Sequence, residues 1–471
     1  MTSNMSIGQP GPHQRLLNDP SPRCSLGTLP SLTCPSNSWL PTMATQPLDL
    51  ETLAESCLQS AKAIKTFLKT NGHDSNSLAF GPLALSAFPK CDAATEQARN
   101  SLRDAARTMY ELATGPEQCL VESSLLSLQY ISSMRYLCHF SIPDSVPDTG
   151  DIDFLSLAKA CAVDPVQLKQ ALRFAMTNRV FCEPTPDHVA HTVGSRLLKD
   201  GDPMRASVQW LTEDCAPLAT HQLDAIAKWG HGSQEANQTA VNSAYGGDGS
   251  FYDFIQSDPV RVRRFGKTIQ QVLQQPASSI KHIQPGFDWI SLGDATVVDV
   301  GGHVGNCAVA IAQAAPKLRL IVQDRPEVVA IAQDPKTSVV PAELQDRITF
   351  EAHDFYLPQK TPADVYFYRK TLLNHTDKYA TTIIQALSPM LKAGNRLLIM
   401  DFVQSDGPIE ATATNRYYRA VDLQMALYYN QGYRTLDEWK KLVSTSDSRL
   451  EFETSCTPPG SALAMISFIV R

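Results

Sequence analysis

The chain has no CxxC pair and no His or Cys at zinc-finger spacing, which argues against a thioredoxin-like redox motif and against a metal finger. Its 11 cysteines are an odd number scattered from Cys24 to Cys456. They fit free thiols in a reducing, cytoplasmic setting better than a disulfide framework, and the 11 dispersed histidines give no reason to expect a metal. No apolar run approaches the roughly 18 residues that a membrane span needs. Clustered Lys and Arg are missing and the net charge is −7, so neither nucleic acid nor an anionic membrane is an expected partner. Residues 1–47 have almost no charge or periodicity but carry Pro10, Pro12, Pro20, Pro22, Pro30, Pro35, Pro41 and Pro47. This composition predicts a disordered tail. The basic start and apolar core of a secretory signal are not seen, and with only Arg15 and Arg23 as cations a transit peptide has weak support.

What remains is rich in core-forming residues, 43% hydrophobic and 19% charged over 471 residues, and divides by length into two or three domains. Residues 48–200 read as helical. In LETLAESCLQSAKAIKTFLKT the apolar positions Leu50, Leu53, Ala54, Cys57, Leu58, Ala61 and Ile64 recur every three or four residues, a stripe that must be covered. SLLSLQYISSMRYLCHF is apolar around most of its circumference, which predicts burial between helices or against a second subunit. DFLSLAKACA, the cap Asp164 with PVQLKQALRFAMTNRVF, and short strands at Val180–Phe181 and Val189–His191 give a winged-helix outline. Lys169, Arg173 and Arg179 could then meet DNA. Alternatively Leu168, Ala171, Leu172 and Ala175 only pack a dimerisation domain, which the acidic surroundings favour. Residues 201–284 read as a helical linker contributing to a substrate pocket.

Residues 285–471 alternate strand and helix: TVVDV, an Ala-rich helix, LRLIV, ITFEAHDF, DVYFY, a helix through IIQALSPML, and RLLIMDF. This alternation predicts a parallel sheet covered on both faces. TVVDV runs straight into GGHVGNCAVAIAQAA, placing glycines where a strand hands over to a helix and the backbone can approach a ligand. Asp324 ends the next strand, where a carboxylate can accept two ribose hydroxyls. The dinucleotide pattern GxGxxG is not met, because Val300 holds its first position. Asp299, Gly301 and Gly305 fit instead the D/E-x-G-x-G-x-G turn of proteins that bind S-adenosylmethionine (SAM).

These runs, followed by VQDRPEVV, AHDFY, YFYRKTLLNHTDKYATTIIQALSPMLKAGNRLLIMD and DLQMALYYNQGYRTLDEW, resemble the plant and fungal O-methyltransferase family over residues 50–471. The resemblance implies an α/β fold: a Rossmann-like class I methyltransferase domain of about seven strands behind an N-terminal all-helical dimerisation and winged-helix domain, in a homodimer. It further implies that SAM or S-adenosylhomocysteine (SAH) is held by Gly301, Gly302 and Gly305, with Asp324 at the ribose, Asp354, Phe355 and His375 beside adenine, and Arg369 meeting the cofactor.

The chain departs from that family where the chemistry happens. Methyl transfer to a hydroxyl needs a base. Overlaid on the family's Y-F-L-R-H-I-L-H-D-W-S-D, the chain puts Leu373 at the catalytic His and Asn374 at the next Asp, and GYRT puts Tyr433 at the Glu that orients that His. His303 also stands where the cofactor turn has a glycine. Base and orienter are both missing while the acidic and glycine positions survive, so the chain resembles the O-methyltransferase-like, SAM-dependent pericyclases of fungal natural-product pathways. That resemblance implies a Diels–Alder, hetero-Diels–Alder or Alder-ene type cyclisation, with or without dehydration, of a hydrophobic polyketide–amino acid hybrid such as a 2-pyridone. Phe254, Thr268, Leu373, Asn374, Met425, Tyr429 and Tyr433 are expected to line the substrate pocket, and Lys370 and His221 to touch a carbonyl. Two alternatives stand beside this: an ordinary O-methyltransferase using His375 or water, and a non-catalytic, DNA-associated regulator.

Overall fold

Asp49 starts α1 (Leu50–Thr70) by accepting the Thr52 amide at 3.1 Å, one of the amides that a helix N-terminus leaves open. The structure, a computed structural model, describes residues 49–471; the tail expected over 1–47 lies outside them. α1 packs against α2 (Ala93–Thr114), and α3 (Pro116–His139) follows. The apolar stripe of α1 is only half covered. Ile64 and Leu68 are buried, whereas Leu50 and Leu58 are exposed. Likewise α3 buries Met134, Leu137 and Cys138 near its end but leaves Leu120, Val121, Leu125 and Leu128 54–73% exposed.

Phe154–Ala160 (α4) and Pro165–Thr177 (α5) form the helix pair of the winged-helix outline, with Asp164 capping α5 through the Gln167 amide at 2.9 Å. Leu168, Leu172 and Ala175 are fully buried in its core. The hairpin expected from Val180–Phe181 and Val189–His191 does not form as such. Arg179 and Phe181 have φ of 63° and 66°, outside the extended region, so pairing shrinks to one bridge, Cys182 with Ala190. His188–Val189 pairs instead with Ile152–Asp153. The three cations that a DNA surface would need are already engaged: Lys169 with Asp187, Arg173 with Glu183 and Asp187, and Arg179 over the Phe80 ring.

Between this region and the sheet, α6 (Phe251–Gln256) and α7 (Pro259–Gln274) build an aromatic core with Trp210, whose Nε1 donates to the Tyr428 hydroxyl at 3.1 Å. Then come β1 (Thr296–Val300), α8 (Asn306–Ala314), β2 (Arg319–Asp324), α9 (Pro326–Gln333), β3 (Ile348–Ala352), β4 (Val365–Arg369), α10 (Asp377–Gln385), β5 (Arg396–Asp401), α11 (Ala413–Tyr429), α12 (Leu436–Ser446), β6 (Leu450–Cys456) and β7 (Ala464–Val470).

The seven strands lie in the order β3-β2-β1-β4-β5-β7-β6. All neighbours are parallel except β7, which is antiparallel to both β5 and β6. This is the class I methyltransferase sheet, with Val297, Phe367 and Leu398 in the core of one face and Val298, Tyr366 and Ile399 in that of the other. Strand order reverses between β1 and β4, and the crevice beyond their carboxyl ends is where such sheets bind ligands. Two elements end earlier than the sequence suggests. β3 stops at Ala352 because Asp354 closes a turn on the Tyr356 amide at 3.0 Å. α10 stops at Gln385, ahead of Pro389, and continues as tight turns. No described helix is long and apolar enough to cross a membrane.

Candidate active site at the carboxyl edge of the sheet

The turn after β1 is fixed by backbone and packing together. The Gly301 and Gly302 amides donate to the Gln323 carbonyl at 2.8 and 3.2 Å, tying the turn to β2. A Cβ on Gly302 would lie 2.6 Å from Asp299 Oδ2 and 2.8 Å from Val322 Cγ1, so no side chain fits. Gly305, with φ +91°, would meet Phe350 at 3.0 Å. His303 keeps the left-handed path of the glycine it replaces, with φ 54°, at a cost of about 1–2 kcal/mol. Its amide donates to Asp324 Oδ2 at 2.9 Å while the Arg325 amide donates to Oδ1 at 2.8 Å. The carboxylate ending β2 is thereby aimed from the edge of the sheet. Gly305 leaves α8 without a side-chain cap, so first-turn amides remain available to an anion.

Below the turn, Asp299 is buried and its acidity is weakened to about pKa 7 by desolvation, partly opposed by Arg369. Asp299 Oδ2 and Arg369 Nε are both buried without a hydrogen-bond partner among the described residues. Such orphans call for an explanation. An acceptor and a donor side by side are complementary to the ammonium and carboxylate of the methionine end of SAM, so the residues fit the group. Arg369 also donates to the Ser278 carbonyl at 2.6 Å, and Cys307, its thiol pushed up to about 12 by burial, faces the same cations and acid. Neither Ser278 nor Cys307 was singled out by the sequence.

The side expected to take adenine is aromatic. The Phe355 and His375 rings meet edge-on with centroids 5.5 Å apart, and Tyr356 stands 5.8 Å from His375. His375 Nδ1 lies 3.0 Å from the Thr371 carbonyl, which fixes the proton on Nδ1. Burial pushes its pKa down to about 4, so the ring is neutral at ordinary pH. Asp354, Phe355 and His375 thus stand together. The loop carrying His375 is clamped by Arg434 of GYRT, buried, which donates to the Leu372 and His375 carbonyls at 3.2 and 2.7 Å and to Asp377 at 2.9 Å.

On the substrate side, Leu373 is 5% exposed on the short turn Leu372–Asn374. The Asn374 amide donates to the Tyr252 hydroxyl at 3.1 Å, and the Tyr429 hydroxyl lies 3.4 Å from it. Met425 and Phe254 pack on the same aromatic core. Tyr433 lies flat against Phe402, centroids 4.5 Å apart, and its ring raises no carboxylate toward residue 373. Lys370 has φ 56° and no hydrogen bond or ion pair for its Nζ among the described residues; burial pushes it down to about 8. Its electrostatic neighbour is Asp401, fully buried at the end of β5, raised to about 7 by desolvation and with Oδ2 unpartnered.

Two expected residues are tied up elsewhere. Thr268 donates to the Arg264 carbonyl of its own helix at 2.9 Å, as i, i−4 geometry permits. His221 Nδ1 is 2.8 Å from the Pro217 carbonyl. No described contact joins either to the crevice. Tyr252 and Asp401 went unrecognised in the sequence, although an acid closing the apolar strand RLLIM was a signal for Asp401. Among the described residues no group of three or more His, Cys, Asp or Glu could hold a metal.

Comparison with known proteins agrees with this geometry. Residues 229–447 match the model of an O-methyltransferase domain. O-methyltransferase VdtC of Byssochlamys spectabilis is 34% identical over 426 residues, 89% of this chain and 98% of that one. O-methyltransferase pgmB of Aspergillus terreus is 34% identical over 375 residues, 79% and 84% of the two chains. Among solved structures, OxaC superposes with a TM-score of 0.68 at 17% identity, covering 90% of this chain and 99% of its own. LepI in complex with SAM superposes with a TM-score of 0.62 at 18% identity, covering 89% and 100%; at these identities the likeness shows the fold. The chain, with a site that fits SAM, belongs to the O-methyltransferase family.

Proposed function

We propose that the protein holds SAM without consuming it and catalyses a pericyclic ring closure, of Diels–Alder, hetero-Diels–Alder or Alder-ene type, on a hydrophobic polyketide–amino acid hybrid of secondary metabolism. The observation that carries this reading is Leu373. A buried aliphatic side chain occupies the base position, and the orienting position is filled by Tyr433, stacked on Phe402. Leucine accepts no proton, and a pericyclic step needs no protein base: a Diels–Alder closure moves no hydrogen, and an Alder-ene closure passes its allylic hydrogen directly to the enophile as the new bond forms. What it requires is a folded substrate conformer and a polarised carbonyl. The apolar wall of Phe254, Met425 and Tyr429 suits the first, and Lys370 as an ammonium below about pH 8 suits the second. When bound, SAM supplies a permanent positive charge; Asp299, Arg369 and Asp324 would hold its polar ends, and Phe355 and His375 its base.

Incubation of the purified protein with methyl-labelled SAM and a linear pyridone polyene tests the reading. Many turnovers with the SAM pool intact are expected, and label recovered in the product would overturn the proposal. The second reading, O-methylation, is favoured by the names of the relatives. It would need His375 Nε2 or a water as base, and the packing of the His375 ring edge-on against Phe355 and Tyr356 counts against the first. We also propose a homodimer that covers the bare apolar flank of α3.

A further inference from the structure

Tyr252 keeps 40% of its surface accessible, and partial desolvation raises its hydroxyl pKa. Its hydroxyl touches Asn374, the residue next to Leu373, and Tyr429, and it is near enough to Asp324 and Arg325 to feel their charges.

The direction of the contacts gives this hydroxyl a task. A phenol has two lone pairs and one proton. The Asn374 amide donates to Tyr252 at 3.1 Å and the Tyr429 hydroxyl at 3.4 Å, so both lone pairs are used. No acceptor for the Tyr252 proton exists among the described residues. Accepting two bonds also polarises an O–H and strengthens what it donates.

We propose that Tyr252 is a preorganised hydrogen-bond donor for the carbonyl oxygen of a hydrophobic substrate, anchored by Asn374 and Tyr429. This rests on the reading above that the crevice accepts such a carbonyl compound. The hydroxyl stays protonated because its surroundings disfavour phenolate. It can thus stabilise charge that grows on oxygen without giving the proton away, as an oxyanion hole does. Asn374, at a position where the family overlay has Asp, then has a reason to be an amide: a carboxylate would accept the Tyr252 proton and silence the donor.

The test uses the SAH-loaded full chain and the solvatochromic aryl ketone prodan, whose emission moves to longer wavelength when its carbonyl accepts a hydrogen bond. Wild type should bind it with hydrogen-bonded emission. Tyr252→Phe should return the emission to shorter wavelength and weaken binding about five- to tenfold, the worth of one such bond. Asn374→Asp should do the same with Tyr252 in place, and Tyr429→Phe should broaden the emission. SAH affinity and melting temperature, unchanged in Tyr252→Phe, show that the fold is intact. Wild type without hydrogen-bonded emission, or Tyr252→Phe indistinguishable from wild type, overturns the proposal. Label transfer from SAM would sink the cyclase reading and leave this result standing.

Discussion

The two halves of the crevice are built from different materials. On the cofactor half, position is set by main chain: two glycine amides on Gln323, two amides on Asp324, and glycines with no room for a Cβ. On the substrate half it is set by side chains, Leu373, Tyr252, Tyr429 and Tyr433, hung on an aromatic core. Main-chain geometry cannot be altered one residue at a time without cost. Side chains can, so the second half is where one fold changes its chemistry.

The sharpest way to break the comparison is at Gly302. Gly302→Ala drives a Cβ into Asp299 and Val322 and should abolish SAH binding in calorimetry, with a loss of about 1–3 kcal/mol of stability by overpacking. Next, Leu373→His with Tyr433→Glu should confer methyl transfer on a phenolic panel where wild type shows none. Burying the new polar groups should cost about 1–3 kcal/mol in denaturant melts. Asp324→Asn should weaken SAH by roughly tenfold or more, as loss of a charged hydrogen bond implies, and, because its NH2 would face one of the two backbone amides that the carboxylate now accepts, should cost about 1 kcal/mol in the melt without SAH.

A pH series sharpens the electrostatic side. Burial raises Asp401 to about pKa 7 in the folded protein, from the ordinary carboxyl value of 3.8. The folded state therefore binds more protons than the unfolded one between these values, and this carboxyl's contribution to stability is present below about pH 4 and lost as pH rises through 7. Asp401→Asn should thus gain on wild type across that window; parallel curves would contradict it. The smallest effect is expected at Arg173→Ala on α5. An exposed ion pair contributes about 0.2–1 kcal/mol, and double-stranded DNA should bind neither protein measurably.

The glycine turn and the acid expected to hold the cofactor were legible in the sequence because main chain fixes them. Backbone constraints leave Gly301, Gly302, Gly305 and Asp324 at fixed spacing along one β-turn-α unit. Five of the strands were legible too, because each is an apolar run between turns, whereas their order and the antiparallel β7 are set by pairing across the sheet and were not. The substrate half was legible only as a departure, at Leu373 and Tyr433. Tyr252 reaches Asn374 across 122 positions, and no local pattern encodes such a meeting. Thr268 and His221 show the converse: polar residues in the right region whose bonds turn back on their own helices. The wing strands failed because positive φ at Arg179 and Phe181 leaves no trace in hydrophobic alternation.

Arg434 carries a broader consequence. One guanidinium, reaching over from a distant turn, grips the peptide groups on both sides of residue 373 and leaves that side chain untouched. The loop therefore behaves as a socket whose plug can be exchanged while its rim stays put. A lineage or an engineer could swap imidazole for isobutyl there without redrawing the chain trace, and reaction type would become a property of the plug.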